Sequence, residues 1–187
     1  IDLFEAEYGG FCTTFSGGRD LFDRERLTRG LGESFELMRV SLKFYSCVAS
    51  NHTTLDAIRA MQARHPFGAD DVERIVVRGS KATVEHVGWK YRPEGVTSSQ
   101  LNLAYCVATW LIEGACFVDQ FSAALVADPA RMALAERVEC LEDPAISGEG
   151  PDMRHKVHVE VRLKDGTVMT ETVEKALGSE AHFGSDD

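Results

Sequence analysis

One ten-residue stretch, from Lys43 to His52, combines a cation, small polar side chains and an imidazole (Lys-Phe-Tyr-Ser-Cys-Val-Ala-Ser-Asn-His). The residues before it predict a strand and those after it predict a helix, so the stretch lies at a strand-to-helix junction. Backbone N–H groups at a helix start are unpaired and carry the positive end of the helix dipole. Because Lys43 and His52 would add to that attraction, the stretch predicts a site for a carboxylate or a phosphate.

A third residue able to do chemistry is Tyr105, near the start of an apolar stretch at 101–118. Its phenolic O–H is a hydrogen-bond donor and a weak acid. Each candidate also has a structural interpretation, and the residues alone leave both open. Lys43 fits a strand-end surface lysine, Tyr105 fits a core aromatic, and His52 fits a structural residue beside a helix cap.

Composition excludes several classes of protein. The chain has 187 residues, 44% of them hydrophobic, which suits one globular domain with its own core. A net charge of −10 with scattered basic residues argues against nucleic acid or an anionic membrane as a partner. Five cysteines without a CxxC pair predict neither a disulfide framework nor a zinc site, and they favour a reducing cytoplasm. The first residues lack the basic and apolar segments of a secretory signal.

Local patterns predict the elements that position these residues. The apolar stretch at 101–118 contains Glu113, which is costly in lipid, so we expect a buried core helix. In the first half of the chain the other predictions are a packed loop over 1–18, an exposed helix over 20–30, a strand over 35–45 and a helix from an Asn51 N-cap to Arg64. Two strands within 72–87, separated at Gly79-Ser80, and a polar loop over 88–98 follow. After the core helix we expect a helix opened by Asp128-Pro129 and ending near Arg137, a strand over 138–142, a hairpin over 157–173 and a frayed tail after Gly178. Together they predict an α+β two-layer sandwich, with helices on one face of a mostly antiparallel sheet.

Several of these motifs, in order, resemble the MmgE/PrpD family, which includes 2-methylcitrate dehydratase, cis-aconitate decarboxylase and iminodisuccinate epimerase. The Lys43–His52 stretch resembles the family's Lys-x-[Tyr/Phe]-Pro-x-[Cys/His]-x-x-x-His junction. The segment at 99–108 (Ser-Gln-Leu-Asn-Leu-Ala-Tyr-Cys-Val-Ala) resembles its second signature, and Asp128-Pro129 and Leu163-Lys-Asp-Gly166 follow in the family's order.

The resemblance implies a fragment that lacks the family's helical domain. Residues 1–34 would be a linker from that domain, 35–176 a lid domain and 177–187 a flexible tail. The implied activity is cofactor-independent lyase or isomerase chemistry on a small di- or tricarboxylic acid, with Lys43 and Tyr105 as catalytic residues and His52 binding substrate. The implied partners are the polycarboxylate, a helical domain of the same protein or of a partner subunit, and a second copy in a homodimer. The isolated chain is expected to be inactive.

This sequence departs from the family pattern at three positions. The family commonly has proline where Ser46 stands, cysteine or histidine where Val48 stands, and serine where Asn102 stands. Valine cannot transfer protons, so Val48 weakens the expectation of decarboxylase-like chemistry most. A second class of function therefore stays open, a non-catalytic binding or interaction domain that retains the fold. In that case the apolar residues Phe4, Phe11 and Phe15 would form a partner surface.

Overall fold

The fold was obtained as a computed structural model, which describes residues 2–6, 8–18 and 21–183. The chain divides into two compact units, Ile1–Val40 and Ser41–Asp187. The elements of the larger unit are α3 (Ala49–Arg64), β1 (Val72–Gly79), α4 (Lys81–Val87), α5 (Val96–Leu101), α6 (Leu103–Glu113), α7 (Pro129–Ala135), β2 (Val138–Glu142), α8 (Pro144–Gly148), β3 (Val157–Leu163) and β4 (Val168–Val173). Short 3₁₀ helices lie at Val118–Gln120 and Pro151–Met153.

The larger unit is built on a four-stranded sheet with the order β2-β1-β3-β4. β1 pairs with β2 in parallel and with β3 antiparallel, and β3 pairs with β4 antiparallel. β3 and β4 form the predicted hairpin, with His158 opposite Thr172. The α+β class and the mostly antiparallel sheet are thus confirmed, with one parallel pairing added.

The core lies between one face of this sheet and α3. Alternate residues of β3 point inward, so Val157 and Val161 are fully buried while Arg162 is exposed. α3 packs on β3 and β4 and buries Leu55, Ile58 and Met61, the three residues that the sequence placed on one side of this helix. Burying each such side chain contributes about 2 kcal/mol, so this layer fixes the position of α3.

One predicted strand is a helix. Residues 82–87, rich in β-branched side chains, fall in α4 because Ser80 caps that helix, its Oγ accepting a hydrogen bond from the Thr83 backbone N–H at 3.2 Å. The Ser80 and Thr83 hydroxyls both donate to the Arg154 carbonyl oxygen, at 2.6 and 2.7 Å. The cap and these tertiary contacts override the local β propensity.

The strand expected over 35–45 is also absent. Glu36–Arg39 form a 3₁₀ helix, and the residues from 40 to 48 are irregular. Leu42 N–H donates to the Gly178 carbonyl oxygen at 2.8 Å, but within the described residues no strand pairs with this segment. A segment with an alternating pattern forms a strand only when it can hydrogen-bond to a neighbouring strand. Here the outer strands of the sheet are β2 and β4, and this segment pairs with neither.

The smaller unit has helices where a loop was predicted over 1–18, namely α1 (Asp2–Glu5) and α2 (Phe11–Ser16). Phe11 packs against Phe4 and Phe15, with ring centroids 6.1 and 4.7 Å apart. These three rings stay 45–77% exposed. The helix predicted over 20–30 is a single 3₁₀ turn at Arg24–Leu27, and Asp20 lies outside the described residues.

The tail after Gly178 begins with a bridge between Ser179 and His182, and Gly178 N–H donates to the His182 carbonyl oxygen at 2.8 Å. Residues 184–187, part of the tail expected to fray, lie outside the described residues. In the part of the chain that the structure describes, every helix is too short or too polar to cross a membrane.

Candidate functional site

Lys43 and His52 meet at one backbone atom, the carbonyl oxygen of Cys47. Lys43 Nζ donates to this oxygen at 3.1 Å, and His52 Nε2 lies 3.4 Å from it. Lys43 is exposed, whereas His52 is only 3% exposed. We call this group of Lys43, Cys47 and His52 the Cys47 corner. It places the ammonium of an exposed lysine near a buried imidazole at the start of α3.

The corner is fixed by hydrogen bonds to its backbone from outside α3. Ser46 N–H donates to the Cys116 carbonyl oxygen at 2.9 Å, and Val48 N–H donates to that of Gln100 at 3.1 Å. The Gln100 side chain donates in return to the Ser46 carbonyl oxygen at 2.8 Å. An irregular segment with its polar groups paired in this way holds one conformation, so Lys43 is presented from a defined backbone.

The first turns of α3 are unusually polar for a buried helix. The helix begins at Ala49 with Val48 as its N-cap, two residues before the predicted start, so Asn51 lies inside the helix rather than capping it. Five consecutive polar side chains there, Ser50, Asn51, His52, Thr53 and Thr54, are at most 3% exposed. Among the described residues, Asn51 Oδ1 and Thr54 Oγ1 have no hydrogen-bond partner. Buried polar groups are costly, so their concentration here is typical of a functional region rather than of a core.

Tyr45 orients the imidazole of the corner. Its ring stands edge-on to His52 with centroids 5.1 Å apart, and its hydroxyl donates to Asp56 Oδ1 at 2.7 Å. Asp56 Oδ2 accepts a hydrogen bond from the Leu177 backbone N–H at 2.8 Å. Burial raises the pKa of Tyr45, and the negative charge of Asp56 raises it further. Tyr45 therefore stays a neutral donor that positions His52.

Tyr105 lies in a different environment, although it too starts a helix. The helix predicted over 101–118 is present but shorter, as α6, and it is capped by Asn102, whose side-chain oxygen accepts from Tyr105 N–H at 2.9 Å. Gly114, with φ of +68°, ends it. Tyr105 is fully buried, and its hydroxyl donates to the Leu125 carbonyl oxygen at 2.8 Å.

Two aromatic rings flank Tyr105, with centroids 4.6 Å away at Tyr91 and 6.2 Å away at Phe121. We call these three residues the tyrosine stack. Burial raises the pKa of Tyr105 to about 12, and Tyr91 acts in the same direction. The structure thus brings Lys43 and His52 together, and it places Tyr105 in a core with its hydroxyl bound to backbone.

A second lysine, in the segment between α4 and α5, does not add to the corner. Lys90 lines a cleft of about 570 Å³, in which Glu136 and Glu139 also lie. Acidic side chains make that cleft a poor site for a carboxylate, because like charges repel. The anion-binding capacity of the three predicted site residues therefore rests on the Cys47 corner.

A group that the sequence did not reveal shares Cys47 with the corner. The sulfur atoms of Cys47, Cys106 and Cys116 all lie within 4.8 Å of one another, and the three residues are buried. Cys106 belongs to α6 as expected, whereas Cys116 follows that helix rather than lying on it. Their separation along the chain gives no local motif, so only the packing of α6 against the corner reveals them.

The fold and the motifs define a member of the MmgE/PrpD family. Residues 45–187 match the MmgE/PrpD C-terminal domain, and the chain belongs to that family. A cis-aconitate decarboxylase-like protein of Aspergillus oryzae is 27% identical over 195 residues, covering 99% of this chain and 40% of that protein. Cis-aconitate decarboxylase of Aspergillus terreus is 28% identical over 188 residues, covering 94% of this chain and 38% of that enzyme.

A mitochondrial 2-methylcitrate dehydratase of Yarrowia lipolytica is 33% identical over 106 residues, covering 55% of this chain and 20% of that enzyme. The chain thus spans about two fifths of the length of the two Aspergillus relatives and a smaller share of the dehydratase. The family resemblance predicted from the sequence motifs is confirmed.

Proposed function

We propose that this chain is the substrate-covering domain of a cofactor-independent lyase or isomerase that acts on a small di- or tricarboxylic acid. The observation that carries the proposal is the convergence of Lys43 and His52 on the Cys47 carbonyl oxygen. The names of the relatives, which refer to cis-aconitate and 2-methylcitrate, support a substrate with several carboxylates. The rest of the site would come from a helical domain of the same protein or of a partner subunit, in a homodimer.

Lys43 is suited to bind the substrate's charge. An ammonium has three N–H donors, so its bond to the Cys47 carbonyl oxygen leaves two for a carboxylate. Removal of a proton next to a carboxylate builds negative charge on that group, and a fixed cation at hydrogen-bond distance lowers the energy of this state. His52 would add a hydrogen bond to a neighbouring carboxylate oxygen, for which its buried imidazole would have to turn away from the Cys47 carbonyl oxygen or use its other ring nitrogen.

The proton-transferring groups would come mainly from the helical domain. The catalytic role predicted for Tyr105 remains a proposal with a defined requirement, because its hydroxyl would have to leave the Leu125 carbonyl oxygen to reach a substrate. Tyr105 would then act as a neutral donor, since its raised pKa keeps the proton on the phenol at pH 7.

Val48 favours a second candidate, a binding domain without turnover. Val48 is the N-cap of α3, and its side chain, which cannot transfer a proton, makes no capping hydrogen bond. If the chemistry of the family depends on a reactive side chain here, the Cys47 corner would still bind a polycarboxylate but would not transform it.

A substrate screen of the complete protein separates the two candidates. Citrate, 2-methylcitrate, cis-aconitate and iminodisuccinate are each incubated in deuterated water, and both product and deuterium incorporation are measured. Product from one acid supports a lyase, and deuterium incorporation or inversion without loss of water or CO₂ supports an isomerase. Binding of an acid without either change would contradict the enzyme and support the binding domain.

A further inference from the structure

The three-cysteine cluster shares Cys47 with the corner, but its sulfur atoms are not used by the proposed function. It gathers three of the five cysteines from different parts of the larger unit: the segment before α3, helix α6, and the loop after α6. Cys47 is 4% exposed, Cys106 0% and Cys116 2%. Buried cysteines commonly pack as small apolar side chains, but here the three sulfur atoms also lie within 4.8 Å of one another.

The sulfur positions are close to those of a metal site. Metal–sulfur bonds of about 2.3 Å place the sulfur atoms of a three-thiolate site ~3.8 Å apart. The three sulfurs lie within 4.8 Å of one another, so contraction by about 1 Å or less would bring them into this geometry. Rotation about the side-chain bonds of cysteine is sufficient for movements of this size.

Neighbouring donors would compensate the remaining negative charge of a metal–thiolate group. Asn51 Nδ2 donates to Cys106 Sγ at 3.3 Å. The Lys43 ammonium lies at the Cys47 carbonyl oxygen. The same amide nitrogen also donates to the Gln100 carbonyl oxygen at 3.4 Å, which fixes its position beside the sulfur. Such second contacts orient and stabilise thiolate ligands.

We propose that Cys47, Cys106 and Cys116 together bind one thiophilic d¹⁰ cation, Zn²⁺ or Cu⁺. Both ions prefer thiolate sulfur over the oxygen ligands of the surrounding carbonyl groups. On binding, each thiol that carries a proton releases it to solvent, and three metal–sulfur bonds form with no change in oxidation state. The proposed function uses the carbonyl oxygen of Cys47 and the metal site uses its sulfur, so failure to bind a metal would leave the proposed function unchanged.

Metal titration of the reduced chain tests the proposal. The protein is reduced, freed of metal with a chelator and loaded anaerobically with Zn²⁺ or with Cu⁺. Bound metal is then counted by mass spectrometry under native conditions. We expect one ion per chain, and competition with a chromogenic chelator shows which of the two ions is bound more tightly.

Single serine variants identify the ligands. Cys47→Ser, Cys106→Ser and Cys116→Ser should each weaken metal binding by about tenfold or more. Cys140→Ser is the matched control, because Cys140 is a half-buried free cysteine outside the cluster and should leave affinity unchanged. Equal affinity in the control and the three cluster variants would overturn the proposal.

Cobalt binding to the wild-type chain provides a test that does not require the variants to fold. Co²⁺ bound to the wild-type chain should give a near-ultraviolet sulfur-to-cobalt charge-transfer band with the intensity of three Co–S bonds. Absence of that band would contradict a metal site. So would a reduced chain that binds no metal, together with an air-oxidised chain that forms a disulfide inside the cluster.

Discussion

The Cys47 corner and the tyrosine stack both lie at helix starts, yet their polar groups are used differently. In the stack, the Tyr105 hydroxyl donates to the Leu125 carbonyl oxygen at 2.8 Å and the Tyr91 hydroxyl to that of Val126 at 2.7 Å. In the corner, the exposed Lys43 ammonium uses one of its donors on Cys47 and faces solvent. Paired groups in a core stabilise the fold, whereas unused donors at the surface are available to a ligand.

The largest expected effect comes from removing the cation of the corner. In the complete protein, we expect Lys43→Ala to reduce kcat/KM by about 100-fold or more, the loss typical of a removed charge-stabilising donor. The melting temperature should change little, because the side chain is exposed. Steady-state kinetics and thermal unfolding measure the two quantities.

A matched control for this variant is Lys81→Ala. Lys81 is also an exposed lysine next to a helix start, and its ammonium lies 3.7 Å from Glu85. Its removal should leave kcat/KM unchanged. If the two variants lose the same activity, Lys43 has no special role and the contrast between corner and stack disappears.

A smaller effect is expected at the imidazole. His52→Gln keeps one polar group but loses the ring that packs edge-on against Tyr45. We expect KM to rise roughly tenfold, equivalent to about 1.4 kcal/mol of binding, with a smaller change in kcat. His158→Gln on β3, where the imidazole contacts Thr172, is the control. An unchanged KM together with a lower melting temperature would assign His52 a structural role.

For the stack, the expectation is reversed. Tyr105→Phe leaves the Leu125 carbonyl oxygen without its donor, so we expect a loss of about 1 kcal/mol in the free energy of unfolding. We expect kcat/KM to fall less than tenfold, below the loss in Lys43→Ala. Denaturant unfolding and kinetics on the same samples measure both. A rate loss as large as that of Lys43→Ala, with unchanged stability, would place the phenol on the substrate.

A further expected effect appears only at alkaline pH. Folding raises the pKa of Tyr105 from 10.0 to about 12 because of burial, so the unfolded state loses this proton first. The contribution of this pKa shift to the free energy of unfolding is fully present below pH 10, and it is lost as the pH rises through about 12. Tyr105→Phe should therefore flatten part of the fall in unfolding free energy between pH 10 and 12. An identical fall in wild type and variant would contradict a buried phenol in the stack.

Sequence patterns predicted the parts of this fold that carry strong periodicity or caps. The hairpin at 157–173, the Asp128 cap of α7 and the apolar side of α3 could all be read from local spacing. Residues 82–87 and 35–45 could not, because a serine cap with tertiary hydrogen bonds decided the first and the lack of a partner strand decided the second.

The candidate site divides in the same way. Lys43 and His52 are nine residues apart, so a single turn of chain into α3 brings both to Cys47, and local sequence was sufficient. Tyr105 could be assigned only a helix start, since its partner Leu125 lies twenty residues further along. The members of the three-cysteine cluster lie up to 69 positions apart in the chain, and their convergence depends on how α6 packs, which no local spacing encodes.

A crystal structure of the complete protein with an unreactive tricarboxylate such as tricarballylate tests the central proposal most directly. The proposal predicts a carboxylate oxygen within about 3.2 Å of Lys43 Nζ, as in a charge-assisted hydrogen bond, and a second close to His52. A bound tricarboxylate whose carboxylates are held by other residues, with Lys43 still bonded only to the Cys47 carbonyl oxygen, would contradict it.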